Sequence, residues 1–329
     1  MDKNSEDLVL AIDIGGTFTK LGLVNRYGRV LSSHVFKTGA NQPFGEFEKK
    51  LSEEVQRLLS TSTIADMICA IGIGAPNANY KTGEMINPPN FKWGKLVPVK
   101  TRVQQLLDRP VFMTNDANAS ALGELYFGAG QRMKNFVVLT LGTGLGSGII
   151  NEGKLVYGQN GMAGELGHVN VLTEGRQCNC GLKGCLETYA SVTGIKRTVF
   201  ELLADSNAES VLRSYSFEIL TGKEISEAAH HDDSIALEAF EKTAQILGSK
   251  MADTVAHLEP EAFILTGGLS QAGDLFLKPL KKYMEASLFN AYKGKVKILL
   301  SKSSSAEAVL GPAALAWEGL NQLILTDNG

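Results

Sequence analysis

The sequence predicts an α/β protein built from two related domains that face each other across a cleft. The chain has 329 residues and 44% hydrophobic content, which is enough for two domains with their own cores. Short apolar runs that end at glycines alternate with longer segments of helical spacing. A pattern of strand, glycine turn and strand occurs near the N-terminus and again from residue 136. Together these three observations favour a duplicated sheet-and-helix unit.

The duplication is visible when residues 136–156, FVVLTLGTGLGSGIINEGKLV, are aligned with residues 8–30, LVLAIDIGGTFTKLGLVNRYGRV, with a gap of two. Each copy has the pattern of an apolar strand, a Gly/Thr turn, a second strand, an Asn-containing turn and a third strand. A nucleotide held between the two glycine turns would explain why both copies have the motif.

The remaining elements follow from hydrophobic periodicity and from glycine and proline positions. We expect strands over 8–14, 21–24, 30–36, 68–73, 111–113, 263–266 and 295–300, and helices over 44–59, 119–127, 186–203, 234–258 and 305–320. The proline-rich segment 85–93 is expected to be a loop. These elements suggest an N-terminal α/β domain over 1–118, completed by a C-terminal helix at about 305–329, and a larger domain over 119–304.

The first glycine turn has the composition of a phosphate-binding site. Backbone N–H groups and hydroxyls can bind phosphates there, and an acid at the end of the strand can lie near Mg²⁺. A glycine hairpin without a ligand is the alternative. The candidate nucleotide-binding residues are Asp13, Gly15, Gly16, Thr17, Thr19 and Lys20 in this turn, Gly142, Thr143, Gly144 and Gly146 in the second copy, and Gly267 and Gly268 after a later strand.

Further candidate residues lie at the ends of two other strands and in one loop. Asn115 and Asp116 lie between the strand over 111–113 and the next helix, where ligands bind in open α/β sheets. Asp116 can equally be an ordinary helix N-cap. Gly74 ends the strand over 68–73, and Asn90 is a loop amide that can meet a polar ligand.

Three of the four cysteines lie within a short glycine-rich segment, CNCGLKGC. Cys178 and Cys180 are too close in sequence to form a bridge easily, so a disulfide framework is disfavoured. With His168 upstream, Cys178, Cys180 and Cys185 can complete a tetrahedral zinc site. Such a site is closed, so the metal would hold a loop and would not activate water. A free thiol cluster on a flexible loop is the alternative.

Two carboxylates flank the cysteine cluster. Glu165 precedes His168, and Glu187 follows Cys185. A metal-held loop would bring both acids near one place, where each can accept several hydrogen bonds from a polyhydroxylated ligand. A solvated surface acid is the alternative for either residue alone.

Charge and composition argue against several classes of function. A net charge of −3 and a pI near 6.0 give no electrostatic footprint for nucleic acid. The polar start, MDKNSEDLVL, does not resemble a secretory signal, and no apolar run approaches membrane-spanning length. We therefore expect a cytoplasmic protein without membrane or nucleic-acid partners, in a compartment where thiols stay reduced.

Taken together, these motifs resemble those of the ROK family of sugar kinases, within the superfamily of actin-like ATPases, sugar kinases and heat-shock 70 proteins. The resemblance spans nearly the whole chain. Its most specific part is GELGH followed by CNCGLKGCLE, and DIGGTFTK, NDANA and LGTGLGSG also match. It implies two actin-like, ribonuclease H-like domains, ATP with Mg²⁺, structural Zn²⁺, and a homodimer.

The resemblance also implies roles for individual residues. Asp116 would be the general base for a sugar 6-hydroxyl that attacks the γ-phosphate of ATP. The implied sugar-binding residues are Gly74, Asn90, Asn115, Asp116, Glu165, His168 and Glu187. The NPPNF loop and the ELGH motif are most similar to glucokinases, which makes glucose the first expectation. Kinases of N-acetylmannosamine, N-acetylglucosamine, allose and fructose share nearly all these motifs.

Three other functions are alternatives. A sugar-responsive repressor of the same family would carry an N-terminal helix-turn-helix, for which the hairpin at Leu8 leaves no room. A non-catalytic sugar sensor would not need Asp116 and both glycine turns. A zinc hydrolase would need an open coordination position, which a four-ligand site lacks.

Overall fold

The computed structural model describes residues 7–59, 62–302 and 308–327. The strands are β1 (Leu8–Ile14), β2 (Phe18–Asn25), β3 (Val30–Lys37), β4 (Ile68–Ala75), β5 (Met85–Ile86), β6 (Leu96–Val97), β7 (Val111–Asn115), β8 (Phe136–Leu141), β9 (Leu145–Asn151), β10 (Lys154–Leu155), β11 (Ala262–Thr266) and β12 (Lys297–Leu300). The α-helices are α1 (Phe44–Leu58), α2 (Ser62–Asp66), α3 (Val99–Gln104), α4 (Asp116–Phe127), α5 (Val192–Asp205), α6 (Gly222–His230), α7 (Ser234–Leu258), α8 (Asp274–Ser287) and α9 (Leu310–Asp327).

The chain divides into two compact units by its internal contacts. Unit 1 consists of Met1–Arg132, Gly148–Ala163 and Lys302–Gly329, and unit 2 of Met133–Ser147 and Gly164–Ser301. This division differs from the predicted boundary at residue 118, because α4 begins at Asp116 and continues to Phe127 within unit 1. The segment around β10, which was expected in the second domain, also groups with unit 1.

Two five-stranded sheets have the same topology, with strand orders β3-β2-β1-β4-β7 and β10-β9-β8-β11-β12. In the first sheet β2 is antiparallel to β1 and β3, and β4 is parallel to β1 and β7. In the second sheet β10 is antiparallel to β9, and β11 is parallel to β8 and β12. The repeat detected in the sequence is therefore confirmed as a repeat of sheet topology.

Both faces of β1 are covered, which explains its nearly continuous apolar sequence. Leu10 and Ile12 belong to a buried cluster with residues of α1, whereas Val9 and Ala11 belong to a second cluster that includes Trp317 of α9. The strand is thus fixed from both sides. The one polar residue of this strand, Asp13, lies near its carboxyl end, just before the glycine turn.

Glycines allow α9 to lie very close to the sheet and to α4. A Cβ at Gly72 of β4 would come within 1.8 Å of the Pro312 carbonyl oxygen. A Cβ at Gly311 would meet the carbonyl oxygen of Ala119 at 2.5 Å. Any side chain at Gly72 would push α9 away from β4, so this glycine is required by packing.

The helix predicted over 186–203 is wrong at its start. Residues Leu186–Thr188 form a 3-10 turn, and α5 begins only at Val192, capped by Ser191. Ser191 has extended backbone angles, and its hydroxyl accepts a hydrogen bond from the Gly194 N–H group at 3.0 Å. The serine cap therefore separates the turn from the helix.

Several other elements depart from the sequence-based prediction. The short strand β5 lies in the expected loop 85–93, and α3, α6 and α8 were not expected. Thr221 and Glu224 form a capping box that the sequence could have revealed for α6, whereas Pro279 inside α8 obscured that helix. The expected helix start at Ser305 lies outside the described residues. The described part of that helix extends past residue 320 to Asp327.

None of the helices within the described ranges combines the length and hydrophobicity that a transmembrane span requires.

Candidate active site and metal centre

The junction of β7 and α4 presents the candidate base. Asn115 is the N-cap of α4, and its Oδ1 accepts a hydrogen bond from the Asn118 N–H group at 2.7 Å. Asp116 is the first helical residue, so the N-cap interpretation of Asp116 is wrong by one position. The Asp116 Oδ1 atom accepts a hydrogen bond from the Ala117 N–H group at 2.9 Å. Oδ2 is the Asp116 carboxylate atom that this bond does not occupy.

The Asp116 side chain combines solvent access with dense protein surroundings. Its accessible surface places it among the exposed residues, yet protein atoms surround the carboxylate closely enough to remove much of its hydration. This desolvation raises the pKa of Asp116, although the Ala117 N–H group opposes the rise. A ligand can reach this carboxylate, and its environment makes it a stronger proton acceptor than an ordinary aspartate.

Gly74 supports this junction from within the unit. It is buried, and a Cβ built on it would lie 3.1 Å from Ala119 Cβ, 3.3 Å from Pro312 Cγ and 3.9 Å from Asp116 Cα. The predicted direct contact of Gly74 with substrate is therefore corrected. The glycine permits close packing beneath the Asp116 backbone and does not present a surface to a ligand.

A second acid, Asp13, lies at the end of β1 in the same unit. Lys20 Nζ is 3.7 Å from Asp13 Oδ2, across the antiparallel pairing of β1 and β2. Burial raises the pKa of Asp13 to about 6, Lys20 partly offsets this effect, and the charge of Asp116 adds to it. The negative charge of Asp116 thus acts on Asp13, and two carboxylates of this kind are the ligand type that a divalent cation prefers.

The first glycine turn is tied to the end of β3. The Thr38 hydroxyl donates to the Gly15 carbonyl oxygen at 2.7 Å, and the Thr38 N–H group donates to the Thr17 carbonyl oxygen at 3.0 Å. Gly16 and Thr17 are exposed and available to a ligand. Thr19 is fully buried with its hydroxyl 2.9 Å from that of Thr38, so its expected contact with phosphate is corrected to support of the turn.

The second glycine turn has a different internal bonding pattern. The Gly142 N–H group donates to the Gly144 carbonyl oxygen at 3.1 Å, and the Gly146 N–H group donates to the Thr140 hydroxyl at 3.2 Å. Thr143 is exposed at the tip. A Cβ at Gly144 would lie 2.7 Å from Glu187 Oε2, so the turn lies against one of the predicted sugar-binding carboxylates.

The turn after β11 also requires glycine. Gly267 has a φ of 94°, and a Cβ there would lie 2.6 Å from the Leu141 backbone at the end of β8. Gly268 is exposed and begins a 3-10 turn. Gly267 therefore lies beside the end of the strand that leads into the second glycine turn, whereas a Cβ at Gly268 would lie 3.5 Å from Val192.

The predicted metal ligands come together in unit 2. One donor atom from each of His168, Cys178, Cys180 and Cys185 lies within 4.8 Å of the others. Cys178 Sγ is 3.8 Å from His168 Nδ1, and Cys180 Sγ is 3.7 Å from Cys185 Sγ. Ligands of a tetrahedral zinc ion with Zn–S bonds of about 2.3 Å are separated by roughly 3.8 Å, so these donors fit such an ion.

The flanking carboxylates lie beside this cluster. Glu187 Oε1 accepts a hydrogen bond from Cys178 Sγ at 2.9 Å and is 3.9 Å from His168 Nδ1. Glu165 Oε2 is 4.0 Å from His168 Nε2, the other ring nitrogen. His168 thus directs one nitrogen to the thiols and the other toward Glu165. The roles of metal ligand and sugar contact stay predictions for this residue.

Each unit therefore gathers a subset of the predicted residues. Unit 1 brings Asp13, Lys20 and Asp116 together with the first glycine turn, and unit 2 brings the four metal-binding candidates together with Glu165, Glu187 and the second turn. Asn90, in unit 1, is exposed in the loop after β5 and has a φ of 67°. Asparagine tolerates this left-handed conformation better than most residues.

Sequence reasoning missed three residues that hold these sites in place. Besides Thr38, the buried Ser147 hydroxyl donates to the Gly164 carbonyl oxygen and accepts from the Leu166 N–H group, which fixes the segment that carries Glu165. Arg176 contacts the residues after Glu187. A Thr, a Ser and an Arg carry no motif signal in isolation, although the position of Arg176 in GRQC beside the cysteine cluster was a possible clue.

This chain is similar in sequence or structure to several known proteins. The glucokinase of Halalkalibacterium halodurans is 36% identical over 287 residues, which is 86% of both chains. The xylose repressor of Caldicellulosiruptor bescii is 32% identical over 93% of this chain and 77% of the repressor. The crystal structure of a ROK family glucokinase from Streptomyces griseus, in complex with glucose and AMPPNP, is 34% identical with a TM-score of 0.79, over 95% of this chain and all of that one.

The structural similarity confirms the predicted α/β fold of the actin-like sugar kinases. The family model described as ROK family matches residues 9–318. Since the match spans nearly all of the sequence and agrees with relatives above 30% identity, the chain belongs to the ROK family.

Proposed function

We propose that this protein transfers the γ-phosphoryl group of ATP to the 6-hydroxyl group of a hexose, with glucose as the first expected substrate. The observation that carries the proposal is the solvent-reachable Asp116 carboxylate, with its raised pKa, near Asp13 and the exposed glycine turn. The similar ROK family glucokinase solved with glucose and AMPPNP supports both substrates.

Asp116 is the general base of this proposal. Its Oδ1 atom is held by the Ala117 N–H group, which leaves Oδ2 to accept the proton of the sugar hydroxyl. The oxygen of that hydroxyl then attacks the γ-phosphorus in line with the departing ADP oxygen. Phosphoryl transfer depends mainly on positioning and charge neutralisation, so one oriented carboxylate supplies the proton transfer that the reaction needs.

The nucleotide would be bound by groups from both glycine turns. The proposed residues are Asp13, Gly15, Gly16, Thr17 and Lys20 in and beside the first turn, Gly142, Thr143, Gly144 and Gly146 in the second, and Gly267 and Gly268 after β11. Asp13 would bind Mg²⁺, which neutralises phosphate charge when it is bound. Burial holds the Asp13 pKa near 6, so the carboxylate is mostly ionised and ready for a cation at neutral pH.

The sugar would be recognised by hydrogen bonds to its hydroxyl groups. The proposed contacts are Asn90, Asn115, Asp116, Glu165, His168 and Glu187. Ionised carboxylates accept hydrogen bonds from more than one hydroxyl, which suits a hexose. Gly74 contributes through packing and not through contact, because it is buried.

We also propose that His168, Cys178, Cys180 and Cys185 hold a structural Zn²⁺ ion. The separations of 3.7 and 3.8 Å between donor atoms match those expected for a tetrahedral site with sulfur ligands. Because four protein ligands fill the coordination sphere, the ion would stabilise the loop and take no part in the reaction. A homodimer, a cytoplasmic location and the absence of nucleic-acid partners remain predictions from the sequence.

A sugar-sensing regulator is the second candidate. The observation in its favour is the xylose repressor that is 32% identical over 93% of this chain. A regulator of this kind would bind a sugar without needing an activated base at residue 116. Turnover therefore separates the two candidates.

The test is an assay of ADP release with ATP and Mg²⁺ across glucose, N-acetylglucosamine, N-acetylmannosamine, N-acetylgalactosamine, mannose, allose, fructose and xylose. We expect turnover with glucose at a kcat/KM above that of the other sugars. A higher kcat/KM with another hexose would replace glucose but retain the kinase. Sugar binding in calorimetry without any turnover would instead support the regulator.

A further inference from the structure

The side chain of Arg176 links the metal-binding loop to the turn that carries Glu187. We propose that Arg176 is a positioning residue for the Glu187 carboxylate and thereby sets the affinity for the sugar. This inference rests on the proposed function, in which Glu187 binds the hexose. Arg176 lies outside the sequence motifs that carry the family resemblance.

The guanidinium group of Arg176 has a hydrogen-bond acceptor for each of its N–H groups. Nη1 donates to the carbonyl oxygens of Thr188 at 2.7 Å and Gly194 at 3.0 Å. Nη2 donates to the Thr198 hydroxyl at 2.9 Å and to Glu201, and Nε donates to Glu201 at 2.8 Å. Arginine has five such donors in a rigid fork, whereas lysine has three on a single nitrogen.

The bond to the Thr188 carbonyl oxygen bears directly on Glu187. Glu187 and Thr188 are adjacent in the 3-10 turn that follows Cys185. The Ser191 hydroxyl donates to the Glu187 carbonyl oxygen at 2.6 Å, and the Thr188 hydroxyl donates to the Cys185 carbonyl oxygen at 2.7 Å. The turn is thus fixed by the metal ligand on one side and by α5 on the other. Arg176 adds a second link between the turn, at the Thr188 carbonyl oxygen, and α5, at Gly194 and Thr198.

The position of Arg176 is itself closely determined. Its Cζ atom lies 4.4 Å from the centroid of the Tyr189 ring, and its backbone N–H group donates to the Tyr189 hydroxyl at 3.0 Å. A Cβ at the preceding residue, Gly175, would lie 2.3 Å from that hydroxyl oxygen. The Arg176 side chain is only 11% exposed. A mostly buried guanidinium with several acceptors has little freedom to release the turn.

Removing the guanidinium would take from the Thr188 carbonyl oxygen the donor described above, whereas the Gly194 carbonyl oxygen would keep the Thr198 hydroxyl, which donates to it at 3.2 Å. The turn would relax, and the Glu187 carboxylate would move relative to the second glycine turn, where it approaches Gly144. A displacement of this kind weakens sugar binding more than ATP binding, because the affected carboxylate is a sugar contact. The metal ligands would remain, since Arg176 is bonded to none of their side chains in the interactions described above.

The experiment compares Arg176→Ala, Glu187→Gln and the double variant by steady-state kinetics, with metal content measured in each protein. We expect Arg176→Ala to raise the KM for glucose at least about tenfold, to leave the KM for ATP within about twofold, and to retain the metal stoichiometry of the wild type. In the Glu187→Gln background the same change should add less than about twofold, because both changes act through one carboxylate.

Two further variants make the comparison specific. Arg197→Ala removes an arginine of α5 that donates a single bond to the Gln177 carbonyl oxygen, and we expect its KM for glucose to stay within about twofold of wild type. Arg176→Lys retains the positive charge and the aliphatic stem but should show the defect of Arg176→Ala, because it cannot replace the fork. It also provides a test if Arg176→Ala does not fold.

The outcomes separate this inference from the proposed function. An unchanged KM for glucose in Arg176→Ala, a full additive effect in the double variant, or loss of metal together with the KM change would overturn the positioning role. Absence of turnover in the wild-type protein with every hexose would overturn the proposed function instead.

Discussion

At the scale of single residues, Asp116 carries the clearest chemical expectation. Asp116→Asn preserves the helix start, because Asn115 is the cap, but removes the proton acceptor. We expect kcat to fall by about 10²- to 10⁴-fold while the dissociation constant for glucose changes less than about tenfold. ADP-release kinetics and calorimetry measure the two quantities.

The matched control for this prediction is Asp108→Asn, which changes an exposed aspartate of the same unit. Its kcat should equal that of the wild type. If Asp116→Asn retains most of the wild-type kcat, Asp116 is not the base.

Asp13 gives a prediction about the pH dependence of stability. Burial raises its pKa from 3.8 to about 6 in the folded protein, so the folded state binds this proton more tightly than the unfolded state. The resulting stabilisation is complete below pH 3.8 and is lost as the pH rises through about 6. The Asp13→Asn variant has no carboxylic acid at this position, so its stability does not depend on pH through this group. The free energy of unfolding of the Mg²⁺-free variant should exceed that of wild type by up to about 3 kcal/mol at pH 8 and match it near pH 4.

Urea unfolding at several pH values between 4 and 8 measures this difference. Asp253→Asn is the control, because Asp253 is an exposed partner of Lys250 and should give a difference of less than about 0.5 kcal/mol throughout. If the difference in free energy of unfolding between Asp13→Asn and wild type does not grow with pH, burial of the Asp13 carboxylate is not its cause.

At the scale of elements, the contact between β4 and α9 depends on the absence of a side chain at Gly72. Gly72→Ala places a Cβ where the Pro312 carbonyl oxygen lies, at 1.8 Å, so the helix or the strand must move. We expect the free energy of unfolding to fall by at least about 3 kcal/mol, which chemical denaturation measures.

Gly45→Ala in α1 is the matched control. A Cβ there meets no atom within 4 Å, so the change should be neutral or should stabilise the protein by about 0.5–1 kcal/mol through helix propensity. Equal effects of the two substitutions would show that the β4–α9 approach does not limit stability.

The metal-binding loop is the second element with a direct test. Cys180→Ser removes a ligand at an exposed position, so it should disturb packing little but lower metal retention at least about tenfold against a chelator. The KM for glucose should rise in parallel, because Glu187 lies in the turn after Cys185.

Elemental analysis and kinetics measure both effects. Cys69→Ser, a change of the cysteine outside the cluster, should leave zinc content and KM as in the wild type. Unchanged zinc in Cys180→Ser would contradict the ligand assignment.

At the scale of the whole molecule, α9 completes unit 1 although it lies far from the rest of that unit in sequence. Ala313, Ala316 and Trp317 pack in the cluster that covers one face of β1, and Trp317 Nε1 donates to the Asn25 carbonyl oxygen at 3.2 Å. A chain that ends before Leu310 should lose more than about 4 kcal/mol of the free energy of unfolding, because this face becomes exposed.

Thermal and urea unfolding of the truncated chain measure that loss. The control is a chain that ends after Ile324. It removes Leu325, which is 74% exposed, and the residues beyond it, so it should unfold within about 1 kcal/mol of the full chain. A stable protein without α9 would show that the sheet of unit 1 is covered in another way.

The sequence by itself determined most of what depends on local chemistry. The apolar run of β1, its glycine turn and their second copy predicted the duplicated sheet, since strand periodicity and turn residues are local signals. The spacing of Cys178, Cys180 and Cys185, with His168 upstream, predicted a cluster whose donor atoms lie within 4.8 Å of one another. The residue types and spacing of this motif were sufficient to predict the cluster, because its cysteines lie close together in sequence.

Only the tertiary structure decided which of those residues present their side chains to a ligand and which support others. Thr19 and Gly74 have the residue types of a binding site but are buried by Thr38 and by α9, which are remote in sequence. Arg176 matches no motif, yet its donors connect the Glu187 turn to α5. Burial and partners of this kind depend on contacts between distant segments, and a single sequence does not encode those contacts in any local pattern.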